Sequence, residues 1–290
     1  MYRQFVFVLL LVASFSAHAA QVLPEAVAEL HIPLAIKPLS RPMTVAYAPD
    51  YSRYFIADGG LAPMPNEFGA PISPSQVHAY SDKGEYLYSA KPGLDNRSIY
   101  YNPNTHHLEV VTYNISSGAG FTPGSGVFAF KLDDAGKLTD QTDEITGPNS
   151  AFGSAATMPA YNPAENVYYA KQERSDKVRV VSLASREPIG EITLDLNAAG
   201  VKTDETSEHF IAYTGVAGDE LALLDVDHKA VLVFDLNGKF VGKSTLPVTM
   251  KLRANNHYSG LGYANNLFFV YHEPEGEFGT YYGFRIFDKP

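Results

Sequence analysis

The chain of 290 residues contains no cysteine. Thiol chemistry and disulfide crosslinks are therefore excluded, and the core alone must hold the fold together. Several common catalytic signatures are also missing: there is no G-x-S-x-G elbow, no H-E-x-x-H zinc motif, no P-loop and no D-x-D-x-D-G calcium loop. No stretch beyond the N-terminal segment repeats its apolar residues with a convincing helical period over three turns, which argues against a helical fold.

Positive charge is scarce as well. The sequence has 22 Lys and Arg against 32 Asp and Glu, which gives a formal net charge of -10. Nucleic-acid binding needs Lys and Arg side chains to replace the counterions of the phosphates. We therefore expect no nucleic-acid partner and no binding to anionic lipid.

The N-terminus reads as a signal peptide over residues 1–19. Arg3 supplies a positive charge, Phe5 to Ala13 is an apolar run, and Ala17-His18-Ala19 has the small-residue pattern of a cleavage site. The run is shorter than the roughly 20 residues that span a bilayer, and no other segment qualifies. The alternative is a buried N-terminal strand. We expect a periplasmic or secreted protein whose residues 20–290 form one domain.

One phrase recurs along this domain: an aromatic residue, a short turn and an apolar run, as in "AYNPAENVYYAKQ" from Ala160. The aromatic positions recur at intervals of 50 to 60 residues: Tyr47, Tyr101, Tyr161, Tyr213 and Tyr263. In four of the five units a small residue, Ala or Gly, precedes the tyrosine. We interpret these tyrosines as packing residues between repeats rather than as a ligand platform.

Each unit contains runs of β-branched and aromatic residues separated by turn residues, which predicts four antiparallel strands. About 50 residues and four strands per unit is the blade pattern of a β-propeller, here with five blades. The last unit is one strand short, and the extra segment Glu29 to Ile36 is predicted to close it by pairing with Tyr282 to Phe287. The alternative folds are a β-sandwich or two small barrels.

The phrases "YNPNTHHLEVV", "YNPAENVYYAKQERSDKVRVVSL" and "YSGLGYANNLFFVYHE" resemble the blades of NHL-type propellers and of the exported bacterial propellers called SdiA-regulated proteins. The resemblance covers inner-strand phrases across most of the domain. It implies a propeller in an exported setting.

Long loops are predicted on one face only, which we call the long-loop face. They comprise the loops between second and third strands and the links between blades: Gly59 to Ser75, Asn114 to Ser125, His272 to Thr280, Gly147 to Ala156, Asn197 to Ser207 and Pro247 to His257. Binding residues concentrate on loops held by a rigid scaffold. The candidate ligand-binding residues on this face are Arg41, Asp95, Arg97, Glu173, Arg174, Glu208, His209, His257 and His272, and Asp58 and Glu273 accompany them.

We expect several of these candidates just before inner strands and thus near the axis, where a ring of mixed charge could bind a polar ligand. The alternative is a structural role, in which they are solvated loop charges or form salt bridges between blades. A divalent metal could also be bound on this face, by Glu208, His209, His257 and His272. The sequence therefore leaves open whether the protein has a metal cofactor. Carboxylates for glycan cleavage could come from Asp58, Asp95, Glu173 and Glu208.

The function predicted first is a binding or interaction module for a small polar ligand or a partner protein. The alternatives are a hydrolase, such as a lactonase or glycan-cleaving enzyme with axial carboxylates or a bound metal, and a purely structural role. The fold itself does not choose among them.

Because Ala17-His18-Ala19 is the predicted cleavage site, we expect the mature chain to begin at Ala20 or Gln21. Mass spectrometry of the intact exported protein measures this directly. Exported protein that retained Met1 to Ala19 would contradict the prediction.

Overall fold

The computed structural model describes residues 20–38, 41–59, 75–92, 94–117, 120–146, 150–153, 157–273 and 278–288. The predicted signal peptide lies outside these residues, as does most of the loop from Gly59 to Ser75. The described chain is all-β, with one short helix, α1 (Leu196–Ala199), and 3-10 turns at Pro49–Tyr51, Ser150–Phe152, Thr203–Glu205 and Ala254–His257. Within the described ranges, no helix has the length and apolarity needed to cross a bilayer.

Three sheets are four-stranded antiparallel meanders in which sequence order is also spatial order. The first contains β2 (Arg41–Ala48), β3 (Arg53–Gly59), β4 (Gln76–Ser81) and β5 (Tyr86–Ala90). The second contains β6 (Leu94–Asn102), β7 (His107–Ser117), β8 (Gly120–Leu132) and β9 (Leu138–Thr146). The third contains β10 (Ala160–Asn162), β11 (Val167–Lys171), β12 (Lys177–Ser182) and β13 (Pro188–Thr193).

The fourth sheet has eight strands in the order β14-β15-β16-β17-β1-β20-β19-β18. Its first half is β14 (Ala212–Tyr213), β15 (Leu221–Asp225), β16 (Ala230–Phe234) and β17 (Phe240–Thr245). Its second half is β1 (Val22–Pro33), β18 (Leu261–Ala264), β19 (Leu267–His272) and β20 (Thr280–Phe287). The halves are joined through β1 and β17, whose parallel pairing is registered at Glu25 and Thr245.

The predicted closure by the N-terminal segment is confirmed. Strand β1 runs antiparallel to β20, with His31 opposite Tyr282 and Pro33 opposite Thr280. The strand begins earlier than predicted, at Val22, and the pairing continues beyond it because the Asp288 amide donates to the Gln21 carbonyl. Since β20 would otherwise expose a row of unpaired backbone groups, β1 covers an edge that invites association with other chains.

The closing strand also contacts the first sheet. The turn after β4 approaches so closely that a Cβ on Gly84, whose φ is +81°, would lie 2.6 Å from the His31 carbonyl oxygen. The Ala35 amide donates to the Tyr80 hydroxyl at 3.4 Å, and the Tyr281 hydroxyl donates to the Met43 carbonyl at 2.8 Å. The beginning and end of the described chain are therefore tied to the same neighbouring sheet.

The first strands of the meanders surround a common narrow cavity of about 70 Å³. It is lined by residues in or beside β2, β6, β10, β14 and β18. The strands are crowded there, because a Cβ on Gly262 would lie 2.9 Å from the Val45 amide nitrogen. This contact explains why a glycine precedes Tyr263.

The expectation that the repeated tyrosines pack between neighbouring sheets is met by three of them in the described contacts. Tyr161 stacks on Tyr100 of the second sheet, with ring centroids 4.6 Å apart. Tyr213 stacks on Tyr169 of the third sheet at 5.4 Å. The Tyr101 hydroxyl donates to Asp50 of the first sheet at 2.5 Å.

Two details of the predicted layout are corrected. The glycine-rich stretch Asn114 to Ser125 was predicted as a long loop, but its described residues belong to β7 and β8, with Asn114 opposite Pro123 and Ser117 opposite Gly120. The ladder of backbone hydrogen bonds simply continues to the end of this hairpin. The inner strands also begin earlier than predicted, so that Arg41, Asp95 and Arg97 lie within β2 and β6 rather than just before them.

Deleting the mature chain through Ile36 is expected to destabilise the fold severely, because it removes β1 and exposes β20. Point variants on the same strand separate packing from exposed surface. Ile32 is fully buried, so Ile32→Ala is expected to cost about 2–5 kcal/mol in the free energy of unfolding. Val27 is exposed, so Val27→Ala should stay within about 0.5 kcal/mol.

Urea unfolding curves of both variants measure this difference. Equal midpoints for Ile32→Ala and Val27→Ala, or an unchanged melting curve for the deletion, would contradict the closing role of β1.

Candidate functional site

Two segments of the long-loop face bring four predicted residues together. Glu173 and Arg174 lie in the loop between β11 and β12, and Glu208 and His209 lie in the link that precedes β14. We call these four side chains the cluster. The other candidates lie elsewhere or have side chains outside the described part of the structure, as is the case for Arg41, Asp95 and Arg97.

The loop that carries Glu173 and Arg174 is organised around a buried lysine. Lys171 is fully buried, and its ammonium group donates hydrogen bonds to the carbonyls of Gln172 and Ser175. The Gln172 amide donates to the Lys177 carbonyl at 2.9 Å and closes the loop. Arg174 adopts a left-handed conformation with φ of +50° at the tip of the turn. Glu173 and Arg174 are thereby turned outward from an internally satisfied loop.

The link that carries Glu208 and His209 is held on both sides. The Glu208 amide donates to the His257 carbonyl at 2.7 Å, and the Met158 amide donates to the His209 carbonyl at 2.9 Å. The Thr157 hydroxyl lies 2.9 Å from the Lys171 carbonyl and 3.4 Å from the His209 carbonyl. The backbone of this link is therefore fixed relative to the neighbouring elements, including the end of β11.

The cluster combines acidic, basic and imidazole groups at short range. One ligand-type atom each from Glu173, Glu208 and His209 lies within 4.8 Å of the others. Arg174 Nε is 3.7 Å from Glu208 Oε2, a distance that suits an ion pair but not a direct hydrogen bond. Glu208 and His209 are buried, whereas Glu173 and Arg174 are exposed. The Tyr258 ring lies 5.9 Å from the His209 ring and flanks the buried side.

Electrostatics in the cluster are shaped by Lys171. Burial lowers the pKa of its amine to about 8, against the opposing influence of the Asp176 and Glu208 carboxylates. A buried amine loses hydration that its charged form needs, and only part of that loss is compensated here.

Two of the three histidines that were predicted to share a metal with Glu208 lie outside the cluster. His257 contacts the link through its own backbone, while its Nδ1 lies 3.1 Å from the Thr206 carbonyl and its Nε2 lies 3.5 Å from Asp227. His272 ends β19 and packs against Tyr282 at 6.0 Å. The metal-type group that the described residues form contains Glu173 instead of His257 and His272.

The acidic candidates Asp58 and Glu273 have other neighbours. Arg253 pairs with Glu273. Asp58 is buried with His78 Nε2 3.7 Å away, and His78 Nδ1 lies 2.7 Å from Ser89 Oγ. This row of side chains across three strands was not predicted, although a histidine inside the apolar run "VHAYS" indicates it. The order Asp–His–Ser is that of a hydrolase triad, but the Asp–His distance exceeds a hydrogen bond.

The axial cavity is separate from the cluster. Its lining includes Thr44, Ser98 and Tyr100 but none of the predicted charged residues. Its volume of about 70 Å³ accommodates a few water molecules, whereas ligand pockets usually hold roughly 300–1,000 Å³. Phe210, the residue after His209, lines this cavity. The cluster therefore lies beside the axis, where the packed first strands leave only this narrow cavity.

Comparisons with known proteins identify the fold but no family. No protein-family model matches the sequence, and no curated protein matches it. Among solved structures, the chain is similar to a glutaminyl cyclase from Myxococcus xanthus, with 11% identity and a TM-score of 0.53 over 91% of this chain and 97% of the cyclase. It is also similar to the tail fiber of Staphylococcus aureus phage P68, with 14% identity and a TM-score of 0.54. That match covers 90% of this chain and about half, 53%, of the tail fiber.

The sheets, their common cavity and these similarities define an all-β protein with a β-propeller-like fold. At such low identity the likeness extends to the fold alone. Function depends on the chemistry of the cluster itself.

Lys171 generates a pH-dependent prediction. Its pKa is about 8 in the folded protein and 10.5 for a free lysine, so between these values the unfolded state binds more protons and stability rises with pH. From about pH 7 to pH 9.5, the unfolding free energy of the wild type should rise by about 2 kcal/mol relative to that of Lys171→Met.

Urea unfolding at both pH values, in buffer that contains a chelator, measures the difference. Lys243→Met, at an exposed position on β17, is the matched control and should leave the pH dependence of the wild type unchanged. A wild-type minus Lys171→Met difference that stays constant with pH would contradict the prediction.

Proposed function

We propose that the protein is an exported, five-bladed β-propeller that binds a small polar ligand at the cluster. The convergence of Glu173, Arg174, Glu208 and His209 carries this proposal, because two separate segments of the long-loop face supply them. An exported setting rests on the signal-peptide pattern of residues 1–19. Kinship with NHL-type and SdiA-regulated propellers rests on the repeated inner-strand phrases.

The five-blade count is supported by the eight-stranded sheet. Its two halves are each four strands wide, and β14 and β18 at its ends lie beside the axial cavity as β2, β6 and β10 do. The proposed fifth blade is then β18, β19, β20 and β1, with β1 as its outer strand. On this interpretation the parallel contact between β1 and β17 joins the outer edges of two neighbouring blades.

The chemistry of the cluster indicates the kind of ligand. Glu173 and Glu208 offer acceptors for amines or hydroxyls, and the exposed Arg174 guanidinium offers donors for a carboxylate or carbonyl. Because Glu208 is 9% exposed, its hydrogen bonds to a ligand would be shielded from water and stronger than those of a surface carboxylate. Amino acids, short peptides and sugars carry such groups in the required combination.

Binding can be tested on the purified mature chain with a defined panel of amino acids, dipeptides and monosaccharides. A compound present at about a hundred times its Kd is expected to stabilise the fold by about 2.7 kcal/mol and to raise Tm. Glu208→Gln and Arg174→Ala should each raise the Kd of that compound at least tenfold, since hydrogen bonds to charged groups contribute about 1.5–3 kcal/mol.

Glu165→Gln is the matched control, because Glu165 is an exposed glutamate on the short turn at the opposite end of β11. It should bind the compound as the wild type does. Binding that survives both cluster variants would contradict the site, and a panel without any binder would favour a partner protein over a small ligand. Conversion of a bound compound, detected by mass spectrometry, would favour the hydrolase alternative.

A further inference from the structure

Three members of the cluster have the donor atoms of a metal site. Glu173 and Glu208 supply carboxylate oxygens and His209 supplies an imidazole nitrogen, all within 4.8 Å of one another. Zinc is bound by these donor types, and catalytic zinc sites combine three protein ligands with one open position. We propose that Glu173, Glu208 and His209 bind a divalent transition-metal ion, with Zn²⁺ as the favoured ion. This proposal deepens the proposed function and rests on the same site.

The environment of Glu208 is an independent reason to place a cation there. Its side chain is only 11% exposed, and Oε2 is shielded from solvent and accepts no hydrogen bond from the residues that the structure describes. A buried carboxylate oxygen without donors is costly, because it has lost its hydration without replacement. A metal ion at this oxygen would supply the missing compensation.

The two neighbouring basic residues do not fill that role. Arg174 Nε lies 3.7 Å from Oε2, and the Arg174 side chain is 77% exposed, so its charge is largely screened by water. The Lys171 ammonium donates to the carbonyls of Gln172 and Ser175. Lys171 thus supports the loop that presents Glu173 and does not donate to Glu208 Oε2.

The geometry requires only a small adjustment. Zinc ligands lie about 2.0–2.2 Å from the ion, so that donor atoms in a tetrahedral site are roughly 3.4 Å apart. The donors here lie within 4.8 Å of one another, so that the required closure is at most about 1.4 Å. Glu208 and His209 sit on a backbone held by His257 and Met158, whereas Glu173 lies on an exposed turn. Two ligands are therefore fixed in advance and the third can close on the ion.

Zn²⁺ alone is the probe for the main experiment. The mature chain is treated with chelator, dialysed, and titrated with Zn²⁺ by isothermal calorimetry, with metal content checked by elemental analysis. We expect a single equivalent bound by the wild type. Loss of an outer-shell partner already weakens metal sites about 10–100-fold, so Glu208→Gln, Glu173→Gln and His209→Ala should each weaken binding at least about tenfold.

The matched controls carry the same substitutions at exposed positions away from the cluster, Glu165→Gln and His106→Ala, and should bind Zn²⁺ as the wild type does. Circular dichroism of each variant verifies folding. Because Glu173 is exposed, Glu173→Gln keeps the test valid even if a change at a buried ligand impairs folding. Absence of saturable binding to the wild type, or binding unaffected by Glu173→Gln and Glu208→Gln, would overturn the proposal.

Arg174→Ala distinguishes a metal site from a simple ion pair. Removing the guanidinium removes a cation that competes for Glu208, so Zn²⁺ should bind more tightly, by up to about fivefold. The same variant is expected to lower the affinity for the polar ligand. Weaker Zn²⁺ binding by Arg174→Ala would overturn the assignment of Arg174 as a competitor and with it the proposed arrangement.

The experiments distinguish a failure of the metal site from a failure of the proposed function. If a panel compound binds to chelator-treated protein while Zn²⁺ does not bind, the ligand site stands and the metal site is wrong. If Zn²⁺ binds at Glu173, Glu208 and His209 while no panel compound binds with or without it, the metal site stands and the small-ligand function is wrong.

Discussion

Strand β1 comes from the start of the described chain and pairs with β20 at its end, and the arrangement of the sheets depends on this pairing. One hydrophobic cluster runs through the first, second and eight-stranded sheets and includes Ala26 of β1 and Ile286 of β20. Closure therefore combines the backbone hydrogen bonds between β1 and β20 with buried side-chain contacts such as those of Ala26 and Ile32. Without cysteine, the chain has no covalent substitute for them.

The cluster depends on that ring because its two segments come from different sheets. The loop after β11 belongs to the third sheet, whereas the link to β14 leads into the eight-stranded sheet. Thr157 and Met158 connect the link to the third sheet, and the His257 carbonyl holds it from the other side. Rigid backbone positions allow Glu208 to remain buried at a fixed place while Glu173 and Arg174 stay accessible to solvent.

Much of the fold was predictable because its signal is local. Turn residues and alternating apolar runs mark each strand, and the short last unit indicated where an extra strand was needed. The stretch from Asn114 to Ser125 was predicted wrongly because glycine and proline there suggested a loop, while strand pairing at its ends continues the hairpin. Local composition does not show which segment a stretch pairs with, and it is the pairing of β7 with β8 that makes this stretch a strand.

The sequence by itself determined the repeat, the four-strand units and the closing segment, since each follows from patterns within a short window. It also identified Glu173, Arg174, Glu208 and His209 as candidates, but among many other charged loop residues. Only the tertiary structure decided that these four meet, that His257 and His272 contact other partners, and that the cavity at the axis is narrow. Distances between residues of different sheets depend on how the sheets pack around the axis, which no local pattern encodes.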